Sequence, residues 1–312
     1  MARLQNQVHI FEVGPRDGLQ NESKKVTLKQ KIQWVEGLVR AGVRDFEMGA
    51  FVRSDRVPQM AHTEALCEWV HHEKADLRSA RDWYLVPNRI GLENALNAGA
   101  TRIAVFGAAT ESFVKRNIGM TLRESFLEFQ GVIREGRSAL KSRFRVRGYI
   151  STAFGCPFEG KVSVPKAMRS IEKMAALGVD QISIGDTIGV ATPLDVEKLL
   201  TPALKLLGSD RTAVHFHDTR GTALANALRA YQIGVRVFDS SAGGLGGCPF
   251  APGASGNLAT EDLIYMFDGM NVRTGIQLKT LCETSLQLAR KMKRPLTSRY
   301  LQTYATSCAQ KV

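Results

Sequence analysis

The sequence predicts an α/β protein folded as a (β/α)8 TIM barrel with additional helices after it, and three observations carry that reading. Short apolar stretches rich in β-branched residues alternate with longer amphipathic ones, the pattern of βα modules around a parallel sheet. Gly42, Gly99, Gly178 and Gly234 each fall a few residues before the next strand, as helix stops do. The residues best suited to chemistry collect at or just after strand ends, the rim where such barrels carry their active sites.

The predicted strands are 10–13, 45–49, 83–86, 102–106, 145–150, 181–184, 213–217 and 237–240. Each is followed by a helical pattern, among them 28–40 and 164–177, the latter closing on Gly178. Modules of about 30 residues fill a barrel of about 250 residues. That assigns 8–274 of the 312 residues to the barrel and 275–312 to a helical tail that packs beneath or beside it, all in a single domain. A doubly wound sheet is the competing architecture, but no Gly-rich dinucleotide fingerprint follows the first strand.

Composition excludes several classes. At 44% hydrophobic and 23% charged, the chain lies in the ordinary globular range. Its longest apolar runs, such as 103–109, fall far short of a bilayer span of roughly 20 residues. No signal peptide or prenylation box is evident, so the expected location is cytoplasmic, with no membrane association. Five cysteines at irregular spacing argue against a disulfide scaffold. The charge of +12 favours an acidic partner, yet the basic residues are scattered and only 7% of the chain is aromatic, so no nucleic-acid platform is expected.

The chemistry concentrates in a few motifs. In His215-Phe216-His217-Asp218 the two imidazoles point to one face of a strand and can reach one cation together. Arg16-Asp17-Gly18 follows strand one, Glu47 closes strand two and Asp186 follows strand six. After strand eight runs Gly243-Gly244-Leu245-Gly246-Gly247-Cys248-Pro249, with four glycines in five positions ahead of the cysteine. So much glycine costs conformational entropy, and the expectation is a loop that closes over substrate and excludes water. A thiol near its unperturbed pKa of about 8.5 is protonated at neutral pH, so Cys248 has a proton to give. Cys156, ahead of Pro157, is read as structural.

Three further stretches carry a resemblance: 12–22 (EVGPRDGLQNE), 183–190 (SIGDTIGV) and 155–160 (GCPFEG). Together with the cysteine loop through Asn257 and Asp262, they make the chain resemble the 3-hydroxy-3-methylglutaryl-CoA lyases, a branch of the metal-dependent lyase and Claisen-condensing barrels, from about Val8 to Leu281. Arg-Asp and His-x-His are superfamily-wide, whereas the cysteine loop singles out the lyases. The resemblance implies retro-Claisen cleavage of hydroxymethylglutaryl-CoA to acetoacetate and acetyl-CoA. It implies a divalent cation held by Asp17, His215, His217 and Asn257, a mixed oxygen and nitrogen set that suits Mg2+ or Mn2+.

On that resemblance the catalytic residues are Arg16, Asp17, Glu47, His215 and Cys248. Arg16 faces the thioester oxygen where charge develops, Glu47 positions Arg16, and either Asp17 or His215 takes the hydroxyl proton. Arg16, Gln20, Arg147, Asp186 and Thr187 are expected to contact substrate, with Lys24, Lys25, Arg53 and Arg147 as rim candidates for the CoA phosphates. The expected partner is an acyl-CoA, and the expected assembly a homodimer, supported by an exposed barrel face or the helix Leu278–Met292. Arg220 and Ser23 depart from the residues common among relatives, an aromatic and a lysine, and leave the acyl preference open. The alternatives are a lyase for a longer 3-hydroxy-3-alkylglutaryl-CoA and an acetyl-CoA-condensing synthase, which would lack this cysteine loop.

Overall fold

In the computed structural model of the chain, the residues described are 6–72, 77, 80–246 and 256–309. Eight parallel strands close into a barrel: β1 His9–Glu12, β2 Asp45–Ala50, β3 Arg81–Leu85, β4 Arg102–Ala108, β5 Arg145–Ser151, β6 Gln181–Asp186, β7 Thr212–Phe216 and β8 Val237–Ser240. Each strand pairs with its neighbour in sequence, and β1 closes on β8 with His9 opposite Val237 and Glu12 opposite Ser240. All eight strands expected from the sequence are present. A short antiparallel hairpin, Gly155–Cys156 against Gly160–Lys161, is an addition that the sequence pattern did not announce, because two-residue strands carry no periodicity.

The helices are α1 Leu28–Ala41, α2 Thr63–His72, α3 Arg89–Asn97, α4 Glu111–Ile118, α5 Leu122–Leu140, α6 Val164–Ala176, α7 Pro193–Leu207, α8 Ala223–Gln232, α9 Thr260–Gly269, α10 Leu278–Met292 and α11 Arg299–Ala309. Local chemistry sets their ends. Thr27 and Gln30 form a reciprocal capping box at the start of α1. Gly42 stops that helix at φ 106°, and a Cβ there would lie 2.2 Å from the Gly275 carbonyl oxygen. The same boxes open α5 at Thr121 and α7 at Thr192. No helix among the described residues is long and apolar enough to cross a membrane.

Period-two alternation sorts each strand into an outer side chain set that meets the helices and an inner set that fills the barrel. On β3, Trp83 turns inward to Phe11 with ring centroids 5.9 Å apart, while Asp82 and Tyr84 take the other face. The interior departs from the usual Val, Ile and Leu layers. Its middle holds Arg147, with no exposed surface, its guanidinium stacked 3.7 Å over Phe11 and paired with Asp239. Arg147 also donates to Gln181 Oε1 at 2.8 Å and to the Tyr149 hydroxyl at 2.9 Å. The expectation of Arg147 as a rim contact for substrate is therefore corrected: it is the third residue of β5, and every polar direction of its side chain is spent inside the barrel.

The tail packs beside the barrel. α10 lies on α1, where Gly37 leaves room for Thr284, and α11 lies on α9. Between α10 and α11 the chain returns to the C-terminal rim: Thr297 and Ser298 donate backbone N–H groups to the Gly243 carbonyl, and the Thr297 hydroxyl donates to Gly244. The tail thus braces the base of the loop that follows β8.

Candidate active site

Five segments meet at the C-terminal mouth. The turn Gly14–Gly18 directly after β1 presents Arg16 and Asp17, β2 presents Glu47, and β7 with its next residue presents His215 and His217. Asn257 reaches them because the chain re-enters beside β7, where it forms a bridge with His217 and Leu258 N–H donates to the Phe216 carbonyl. β8 and the turn after it hold this return strand through Ser241.

Arg16 is clamped. Its Nε donates to Glu47 Oε2 at 2.6 Å and its other arm to Asp17 Oδ1 at 2.6 Å. Burial works against its charge, but Glu47 and Asp17 outweigh that and hold the guanidinium protonated, above its ordinary value. For Asp17 burial is likewise the largest effect and is outweighed by Arg16 and the two histidines, leaving its carboxyl at about 2. Its second oxygen accepts from Asn257 Nδ2 at 2.8 Å and lies 3.9 Å from His215 Nε2. Burial, reinforced by its neighbour His215, drives His217 down to about 3, so its ring is neutral and able to ligate.

Asp17, His215 and His217 each offer a ligand atom, all within 4.8 Å of one another. His217 Nδ1 and Asn257 Oδ1 are buried with no hydrogen-bond partner. Two unsatisfied buried acceptors beside a carboxylate fit a divalent cation. Behind His215, Asp239 Oδ2 lies 3.4 Å from Nδ1, and Arg147 and Ser183 hold that carboxylate in turn. Such a carboxylate behind an imidazole sets its tautomer and directs Nε2 to the mouth. The sequence analysis missed Asp239; its signal is a lone acid inside the apolar strand Val237–Ser240.

A cavity of about 240 Å³ opens over this cluster, lined by Arg16, Asp17, Gln20, Ser183, Thr187, His215 and His217 on its polar side and by Val52, Leu85, Phe106, Phe113 and Ile118 on its apolar side. The larger cavity of about 870 Å³ lies at the opposite, N-terminal end of the barrel, among arginines and acids, away from His215 and His217. Gln20 and Thr187 line the smaller cavity. Asp186 does not. It is fully buried, and its two oxygens accept the backbone N–H groups of Val190 and Ala191, so it shapes the turn after β6 instead of meeting substrate. Arg220 braces the same turn by donating to the Ile188 and Gly189 carbonyls.

Arg53 is exposed and pairs with Asp55, and Lys24 donates to the Lys291 carbonyl. Cys156 is buried and receives the Thr110 hydroxyl at 3.2 Å. Cys248 lies outside the described residues.

Fold and site together define a barrel enzyme whose mouth carries a clamped arginine beside a mixed oxygen and nitrogen donor set that could hold a cation. The chain belongs to the HMGL-like family, whose model matches residues 7–287. It is 42% identical over 300 residues to the hydroxymethylglutaryl-CoA lyase of Bacillus subtilis, covering 96% of this chain and 98% of that one. The crystal structure of the Bacillus subtilis HMG-CoA lyase superposes with a TM-score of 0.91 at 41% identity, covering 96% of this chain and 98% of that chain. An HMG-CoA lyase from Acinetobacter baumannii, solved with coenzyme A and 3-methylmalate, superposes with a TM-score of 0.89 at 33% identity, covering 97% and 96%.

Proposed function

We infer that this chain is a lyase that cleaves (S)-3-hydroxy-3-methylglutaryl-CoA to acetoacetate and acetyl-CoA. The observation that carries the reading is the convergence of Arg16, Asp17, His215, His217 and Asn257 on one cavity, in a chain alike over nearly its whole length to lyases of that name. Mg2+ or Mn2+, held by Asp17, His215, His217 and Asn257, supplies Lewis-acid polarisation of substrate hydroxyl and carboxylate oxygens when bound.

The chain's own groups do the rest. Asp17 or His215 accepts the tertiary hydroxyl proton. The O–H electron pair then forms the new ketone of acetoacetate, and the pair of the breaking C–C bond moves into the thioester as an enolate. Arg16, held charged by Glu47, presents its guanidinium to that oxygen from the buried wall of the cavity. Cys248 returns a proton to the enolate carbon and completes acetyl-CoA. The acyl chain rests on the wall of Val52, Leu85 and Phe106. The same reading makes the chain a cytoplasmic homodimer, and light scattering of the purified protein tests the dimer.

The deciding experiment is acetoacetate release from the substrate with Mg2+ or Mn2+, beside an EDTA-treated control and Cys248→Ala. Metal-dependent turnover that the substitution cripples supports the reading. Intact, metal-loaded protein that releases no acetoacetate overturns it, and turnover of longer alkyl homologues alone moves the assignment to those substrates.

A further inference from the structure

A second cluster of metal-ligating side chains lies outside the barrel wall, between α2 and β3. Cys67 and His71 are four residues apart on α2 and so share one helix face. Asp82 and Tyr84 are two apart on β3, on the outward face opposite Trp83, and so meet that helix face. Cys67 Sγ, an imidazole nitrogen of His71 and a carboxylate oxygen of Asp82 lie within 4.8 Å of one another.

Asp82 Oδ2 is 3.2 Å from His71 Nε2, and Oδ1 is 3.6 Å from Arg102, which steadies the carboxylate from behind. Cys67 is fully buried and Asp82 nearly so, whereas His71 reaches the surface and gives a ligand a way in. The Tyr84 hydroxyl is buried against the same group, beside Cys67 and Asp82, and the Cys67 thiol donates to the Ala98 carbonyl at 3.4 Å.

We propose that Cys67, His71 and Asp82 form a second metal site, selective for a borderline-soft divalent cation such as Zn2+, which pins α2 to the barrel wall. The donor set decides the ion: one thiolate, one imidazole and one carboxylate suit Zn2+, whereas the oxygen-rich mouth suits a hard cation. Three protein ligands leave a fourth position beside the Tyr84 hydroxyl. Burial holds the Cys67 thiol up at about 12, and Zn2+ binding takes the place of that proton, releasing it to solvent.

Metal-stripped Cys248→Ala protein, which keeps this cluster and removes the thiol proposed to act in catalysis, is titrated with Co2+ as a spectroscopic stand-in for Zn2+. The expected result is a sulfur-to-cobalt charge-transfer absorption that Cys67→Ser abolishes, and that His71→Ala, altering a side chain at the surface, abolishes or weakens at least tenfold. In the Cys248-intact chain, Zn2+ bound after dialysis falls by one equivalent in His71→Ala while Mg2+-supported turnover is unchanged. No charge-transfer band, or a band that survives both substitutions, overturns the site.

Discussion

Arg16 shows how much a single side chain depends on its neighbours. Its charge survives burial because Glu47 and Asp17 each lie 2.6 Å or less from it. Arg16→Gln keeps a donor but removes the charge, so kcat/KM is expected to fall about 100- to 1,000-fold, the cost of losing one oxyanion donor. Steady-state kinetics checks this, and a fall confined to KM would place Arg16 in binding alone. Arg147 is the inverse case. It never touches the cavity, yet truncating it to Met removes the cation paired with Asp239 and leaves that buried carboxylate only the Ser183 hydroxyl and His215. A loss of about 3–5 kcal/mol is expected in denaturant unfolding, together with weaker cation binding as the carboxylate behind His215 loses its anchor.

The segment from Ser241 to Asn257 joins two halves of the site, and its described part is built to fixed dimensions. Gly246 takes φ 104°, and a Cβ there would lie 2.6 Å from Asn257 Nδ2. Gly246→Ala is therefore expected to lower cation affinity as well as turnover, since it displaces a ligand. A Mg2+ or Mn2+ titration separates the two effects: normal affinity with lost turnover would assign the glycine to loop closure instead. That closing loop was the sequence expectation, and a close approach of backbone to Asn257 is an independent reason for glycine. Glu12 ties the same region together, accepting from Gly14 N–H, Ala242 N–H and the Thr260 hydroxyl, while Glu261 accepts from Gly243 N–H and Ser285.

Those two carboxyls make the stability of the whole molecule depend on pH. Burial raises both Glu12 and Glu261 to about 7 from 4.5. A carboxyl whose folded pKa is raised stabilises the fold fully below its unfolded value and loses that contribution as pH climbs through the folded one. Stability is therefore expected to fall between pH 4.5 and about 7. Asp17, depressed to about 2, acts only below its unfolded value of 3.8, whereas His217, depressed from 6.5 to about 3, adds stability as pH rises to 6.5 and offsets part of the fall. Comparing unfolding free energies of the native chain and Glu261→Gln across that range checks it; parallel curves would remove Glu261 as the cause.

The barrel itself was legible before folding, because β-branched runs, capping residues and helix stops are local and period-bound. So were Arg16, Asp17, His215 and His217, since chemical side chains at strand ends need only the strand count to be gathered on one rim. The inward charges were not legible in that way. Arg147 and Asp239 lie 92 positions apart and read singly as surface groups, yet barrel closure turns both inward, where low dielectric makes each the charge partner the other needs. Asp186 likewise stands at a strand end like the catalytic residues, and only the turn packed against it directs its carboxylate to backbone N–H groups and away from the cavity. Local pattern thus chooses the elements and the rim, whereas the direction of each buried polar group follows from the partners that closure brings within reach.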